Sequence, residues 1–283
     1  MTDQAEKSKD NLGYSVNQKP HGDLPRWLYW GGPIASLLLC WLTPLVGYER
    51  WYPIMGHHEK SIIEIATVAF LLPAFVIGLI VSVRFARTEW LSRKKRLTIA
   101  ACMLIGSLGA LYFGGEEMSW GQSYLDWQTP DSWIEVNKQD ETNIHNLDLE
   151  RYGPWVAWLD DLVNNVPRQA LLVVSILGAI LPLALVKWRR GARSRTSAWH
   201  WLIPTAPMVP ICVLAATSTL PEKAAKLLRH LYGVWPDYET YVRMAFIDPC
   251  GELKEYCYGM MILFYFVSLY IRTSRRSSGA RLG

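Results

Sequence analysis

Apolar residues in this chain fall into six long stretches separated by short, strongly charged segments. The stretches are Trp27–Tyr48, Ser61–Val83, Leu97–Gly115, Gln169–Val186, Ser197–Leu220 and Gly251–Ile271. Each is close to the ~20 apolar residues with which a helix crosses the hydrocarbon core of a bilayer. Within them, only Glu64, Glu252, Lys254 and Glu255 belong to the acids, lysines and arginines. None shows the polar–apolar alternation of an outer-membrane strand. The pattern predicts an all-α, polytopic membrane helix bundle of about six transmembrane helices. Residues 1–26 read as a disordered tail, 27–272 as one transmembrane domain, and 273–283 as a basic tail.

Two segments modify this scheme. Pro204, Pro207 and Pro210 must interrupt the hydrogen-bond ladder of the fifth stretch, because proline lacks the N–H and clashes with the preceding turn. In Pro154–Val166, a helical reading puts Trp155, Trp158, Leu159, Leu162 and Val166 on one face and Asp160, Asp161, Asn164 and Asn165 on the other. That is the pattern of an amphipathic helix lying in the outer interface.

Charge gives direction to the spans. Arg84–Arg96 has six bases, Lys187–Arg195 five and Arg272–Gly283 four, with Glu89 as the lone acid among them. With six crossings these three segments share one side, which the positive-inside rule makes cytoplasmic together with both termini. The opposite side carries the loop 116–168, with 11 acids against three bases. The expected location is the inner membrane of a bacterium, multi-pass, with the acidic loop outward. Because the bases lie beside apolar spans, their natural partners are lipid headgroups, and the net charge of +4 gives no ground for a nucleic-acid partner.

Composition agrees, with 51% hydrophobic residues, 14 tryptophans and only 19% charged residues. Trp27, Trp30, Trp51, Trp90, Trp188, Trp199 and Trp201 flank the spans, where an indole buries its ring and keeps its N–H wet. No cleavable signal is legible before the first stretch. Among the five cysteines there is no Cys-x-x-Cys pair, so neither a disulfide framework nor a cysteine metal site is expected.

The candidate chemistry lies on the outward side. The third stretch ends in Gly114-Gly115-Glu116-Glu117-Met118-Ser119-Trp120-Gly121-Gln122, and Gly106, Gly109 and Phe113 suggest a face for close helix approach. Glu116 and Glu117 lie about 100° apart on a helix, so one is expected to face the bundle and the other water. A second cluster is Asn137-Lys138-Gln139-Asp140-Glu141-Thr142-Asn143-Ile144-His145-Asn146. If helical, it would set Glu141 and His145 one turn apart, a spacing that can grip one metal. The sixth stretch opens with Glu252 and Glu255, also one turn apart, with Gly259 further along the same face. Acids at membrane depth are costly and commonly mark a ligand, proton or ion site. Solvated loop residues and helix-end acids are the plainer reading of the same positions.

The segment Glu116–Gln122 followed by Asn137–Leu147 resembles a family of uncharacterised bacterial integral membrane proteins. Its members join a Glu-Glu-aliphatic-Ser-Trp-Gly-Gln motif to an Asn-x-Gln-x-Glu-x-Asn-x-His-Asn motif. The resemblance implies further acids at the head of the last span, matched by Glu252 and Glu255. It covers about 40 residues well. Ser123 departs from it, standing where the family carries a basic residue.

Three functions fit these residues. In the first, Glu116, Glu117 and Glu255 are catalytic, and Glu117, Glu141, His145 and Glu252 hold a divalent metal (Zn, Mn or Mg). The metal would activate water or grip a phosphate of a lipid or lipid-linked substrate. In the second, the chain is an accessory or assembly protein that binds a membrane protein partner through its acidic loop. In the third it is a carrier driven by protons on Glu64, Glu116 or Glu255.

Overall fold

Every apolar window contains helix. The computed structural model describes residues 23–42, 61–137, 141–144, 165–189, 198–218 and 248–279, with isolated positions in 147–162 and 220–231. The principal helices are α1 (Arg26–Leu42), α2 (Ile62–Arg87), α3 (Arg93–Glu117), α4 (Val166–Arg189), α5 (Val209–Thr217) and α6 (Asp248–Gly279). Four segments are long and apolar enough to cross a membrane: Ile62–Arg87, Arg93–Glu117, Val166–Leu185 and Glu252–Ser274. The chain is thus all-helical over these elements and has the build of a membrane protein.

Residues 27–42 of the first window lie in α1, and the rest of that window is outside the described residues. The fifth breaks where the prolines require it. Two short 3-10 turns, Ala198–Trp201 and Ala206–Met208, precede α5, with Pro204 between them and Pro210 in the first turn of α5. Proline is tolerated there because the first-turn N–H groups have no helical acceptor.

Helix α2 starts at Ser61, whose hydroxyl accepts the Glu64 N–H at 3.2 Å, and ends at Thr88 in an extended conformation. The short connection Thr88–Ser92 returns the chain as α3. Helix α2 is central and packs most extensively against α3 and α6. Missing side chains make this closeness feasible. A Cβ on Gly78 would lie 2.9 Å from Ser107 Cβ and 3.0 Å from the Phe266 ring, so α2, α3 and α6 meet at that point. A Cβ on Gly259 would come within 3.4 Å of the Thr67 carbonyl oxygen, and one on Gly114 within 3.1 Å of Leu71 Cβ. On the expected glycine face of α3, a Gly106 Cβ would lie 3.4 Å from the Phe266 ring, whereas nothing lies within 4 Å of a Gly109 Cβ. Close approach uses Gly114 instead, because the helix presents the Met103–Ser107–Ala110–Gly114 face to α2.

Two apolar clusters fill the bundle. Leu71, Ala74, Val81, Phe85, Ile99, Met103, Phe266 and Leu269 hold α2, α3 and α6 together. Tyr29, Met208, Ile211, Cys212, Tyr258 and Met261 join α1, α5 and α6. On the outside, Val76, Ile80 and Val83 of α2, Leu104, Ile105 and Leu108 of α3, and Val173, Leu177, Ile180 and Leu183 of α4 are exposed. A water-facing surface does not carry apolar area on that scale; hydrocarbon is its natural solvent.

The two ends of the α2–α3–α6 unit differ in charge. At one end, the Arg84 guanidinium lies 4.0 Å over the Tyr270 ring and donates to the Tyr270 carbonyl at 3.1 Å, while Arg272 covers Trp201 at 4.7 Å. At the other end, α2 and α6 begin and α3 ends, bringing Glu64, Glu252, Glu255 and Glu117 to the same level. The amphipathic segment 154–166 falls largely outside the described residues; Trp158 and Leu162 of its apolar face are exposed.

Candidate functional site

Helix α3 stops abruptly. Ser119, Trp120 and Gly121 follow one another with φ of 45°, 56° and 95°. Two non-glycine residues in the left-handed region are costly and persist only where surrounding contacts fix them. The contacts are present. A Cβ on Gly115 would lie 2.7 Å from the Trp120 ring, so glycine lets the indole fold back onto the last turn of α3. The Trp120 Nε1–H then donates to Glu116 Oε1 at 2.7 Å.

Glu116 is 2% exposed, and its other oxygen accepts the Ile144 N–H at 2.7 Å. Ser119 Oγ donates to Glu141 Oε2 at 3.0 Å, and the Asn143 amide donates to Ser119 Oγ at 3.1 Å and to Glu141. Asn137 Nδ2 donates to the Asn143 carbonyl at 3.0 Å. Gln122 Oε1 accepts the Thr142 N–H at 2.7 Å, and its amide donates to Thr129 Oγ1 at 2.6 Å. Charged acceptors make the stronger of these bonds. The two sequence motifs, separated along the chain, thereby form one hydrogen-bonded body on the end of α3.

Residues 141–144 are not helical; Asn137 and Leu147 pair across this segment in an isolated antiparallel bridge. The helical turn supposed for Glu141 and His145 is thus not formed by residues 141–144. Side-chain bonds to Glu116, Ser119 and Gln122 outcompete local helix formation here, as polar side chains commonly do outside regular structure. His145 itself lies outside the described residues.

Glu117 points elsewhere. One carboxylate oxygen each from Glu117, Glu252 and Glu255 lie within 4.8 Å of one another. Glu117 is in direct hydrogen-bonding reach of Glu255, and Glu64 lies in the electrostatic surroundings of Glu252, Glu255 and Glu141. The Glu64 Oε2 is buried and has no hydrogen-bond partner among the described residues. Arg168 at the head of α4 brings an Nη2 to 3.8 Å from Glu255 Oε1, and its side chain is 44% exposed against 14% for Glu255. Three helix ends thus converge their acids, and a fourth supplies a cation at the rim.

The folding reasons are local. Glu252 and Glu255 share a face of α6 one turn apart, and the missing Gly259 side chain draws that face against α2 beside Glu64. Neither Glu116 nor Glu117 simply faces water: Glu116 is enclosed by the loop body, and Glu117 by the other acids. Of the residues singled out in the sequence, the fold gathers Glu117, Glu252, Glu255 and Glu64. Glu116 and Glu141 belong instead to the adjoining loop network. Arg168 escaped sequence reasoning; its signal was being the lone base at the head of the fourth window on the acidic side.

Bringing carboxylates together in a poorly solvated place requires an offsetting charge, either a cation or shared protons. The donor set is all oxygen, which suits hard cations such as Mg, Mn or Ca better than Zn. Six-coordinate geometry at ~2.1 Å allows opposite oxygens to lie ~4.2 Å apart, so a small contraction would close the three acids around Mg or Mn, and Ca fits with less movement. The residues present fit such an ion. No protein family, curated protein or solved structure matches the chain.

Proposed function

We propose that this chain is an integral membrane protein that holds a divalent cation at its non-cytoplasmic face and uses it to act on a lipid or lipid-linked substrate. The observation that carries the reading is the convergence of Glu117, Glu252 and Glu255 oxygens within 4.8 Å at the acidic end of the bundle. These three side chains are the ligands. Glu64, with its buried and unpartnered oxygen, is the group that takes up a proton from water or completes the ligand set. Glu116 is a positioning residue, because both its oxygens are engaged by Trp120 and Ile144. A bound cation would polarise a phosphoryl oxygen or lower the pKa of water. Arg168 at the rim supplies a positive charge for an anionic headgroup. Six crossings, cytoplasmic termini and a bacterial inner membrane complete the proposal, supported by the loop charges.

Metal per chain in the purified protein tests it. The parent should carry a stoichiometric divalent ion, and Glu117→Gln, Glu252→Gln and Glu255→Gln should each lose it while still inserting. A specific observation favours one other reading. Glu117 and Glu255 bring carboxylate oxygens within 4.8 Å of each other in a span of membrane depth, where acids also serve proton-coupled carriers. A metal-free parent whose transport activity depends on Glu117 would establish that function instead.

A further inference from the structure

Beyond the carboxylate site, the segment after α3 exposes a row of large apolar side chains. Trp120 is 42% exposed, Tyr124 50%, Leu125 72%, Trp127 38% and Ile134 44%. In an aqueous loop, such a run would be an unexplained cost. Its position explains it. On α3, Ile105, Leu108 and Tyr112 follow one another along one side, with Ile105 70% and Leu108 49% exposed. That side belongs to the apolar exterior of a segment long enough to cross the bilayer. The Trp120 ring lies 6.3 Å from the Tyr112 ring, centroid to centroid, and therefore extends the apolar side of α3 past the helix end. Tyr124 and Leu125 follow in the single helical turn Gln122–Leu125 and Trp127 just beyond it, all three exposed.

We infer that residues 120–134 form an aromatic platform that docks on the outer leaflet at headgroup depth. The occupant is a zwitterionic lipid surface. Asp126, Asp131 and Glu135 are all exposed, and no lysine or arginine occurs between Glu116 and Asn137, so an anionic surface would be repelled. Tryptophan and tyrosine favour this depth because an indole or phenol buries its ring while its polar atom stays satisfied. Here the indole N–H groups are satisfied from within: Trp120 donates to Glu116 at 2.7 Å and Trp127 to Thr142 Oγ1 at 3.0 Å. Both rings are thus free of the need for water, and each packs one part on the chain while leaving the rest exposed. The hydrogen-bonded union of the two motifs acquires a purpose in this arrangement, since Glu116, Gln122 and Thr142 fix the platform beside the acidic site. The platform takes its outward orientation from the topology proposed above but does not depend on a bound cation.

Nitroxide collision measurements test it on the full chain in phosphatidylcholine vesicles, with single labels at Leu125→Cys, Asp131→Cys and Ile105→Cys after replacement of the native cysteines. Label 125 should collide more with oxygen than with a water-soluble nickel chelate, resembling label 105, and label 131 should show the reverse. A nickel excess at 125 equal to that at 131 would overturn the proposal. If removing the native cysteines prevents folding, the unaltered chain decides by photolabelling with a phosphatidylcholine that carries a diazirine near its headgroup. Adducts on residues 120–127 support the platform; labelled spans with an unlabelled 120–127 peptide refute it. Exchanging part of the phosphatidylcholine for phosphatidylglycerol should lower the labelling of this peptide relative to the spans, and an increase would refute the zwitterionic preference.

Discussion

Replacing Glu117 by Gln removes one charge from the carboxylate set at nearly constant volume. With oxygens no more than 4.8 Å apart and an effective dielectric constant of ~20, each ionised pair repels by about 3.5 kcal/mol or more. Three such pairs amount to roughly 10 kcal/mol, and the substitution deletes two of them. Arg168, 3.8 Å from Glu255, offsets part of this repulsion. The expected behaviour is a crossover. After dialysis against a chelator, Glu117→Gln should be at least as thermally stable in detergent as the parent. Addition of Mn at a hundredfold excess over its dissociation constant should then stabilise the parent by about 2.7 kcal/mol. For a chain of this size that corresponds to roughly 5–10 °C in Tm. The variant keeps only Glu252 and Glu255 of the set and should respond much less. Differential scanning fluorimetry with Mg, Mn, Ca and Zn in turn makes the comparison. If no ion stabilises the parent, or if parent and variant respond equally, the three acids are not a cation site.

Other expectations concern the frame around that site. A reporter fused after Arg276 should be active in the cytoplasm and one inserted near Asp131 outside; agreement between the two compartments would refute the shared orientation of the acids. Glu116→Ala should lower stability by about 2–4 kcal/mol, because two partly buried N–H donors lose their acceptor. It should nevertheless leave metal per chain unchanged, and loss of the ion without loss of stability would make Glu116 a ligand. Gly78→Leu places a side chain where Ser107 and Phe266 already lie within 3.0 Å, so it should cost about 1–3 kcal/mol or more and loosen the three-helix crossing. Gly109→Leu, facing open space, should be nearly neutral in the same thermal assay.

The helical class and the membrane character were legible in the chain because each depends on local properties. Continuous apolar runs have nowhere to go but a bilayer or a large core, and the triple proline pattern of the fifth window forces a break irrespective of its neighbours. The candidate acids could be found on the same ground, since Glu64, Glu252 and Glu255 interrupt or open apolar runs where a charge is expensive. Which acids share a site was not legible. Glu116 and Glu117 are adjacent and chemically identical, and only their surroundings separate a loop-bound acceptor from a member of the acidic set. The helical reading of Glu141 and His145 failed for residues 141–144 because their preferences are weak and distant partners, Ser119 and Gln122, supply the bonds that a helix would have supplied. Likewise the glycines of α3 look equivalent in sequence, yet Gly114 touches α2 and Gly109 touches nothing. Burial cost is a property of a residue and its neighbours along the chain, so sequence alone determined where helices run and which charges are out of place. Convergence depends on how three helices cross at Gly78 and Gly259, and only tertiary packing decided that Glu117, Glu252 and Glu255 meet.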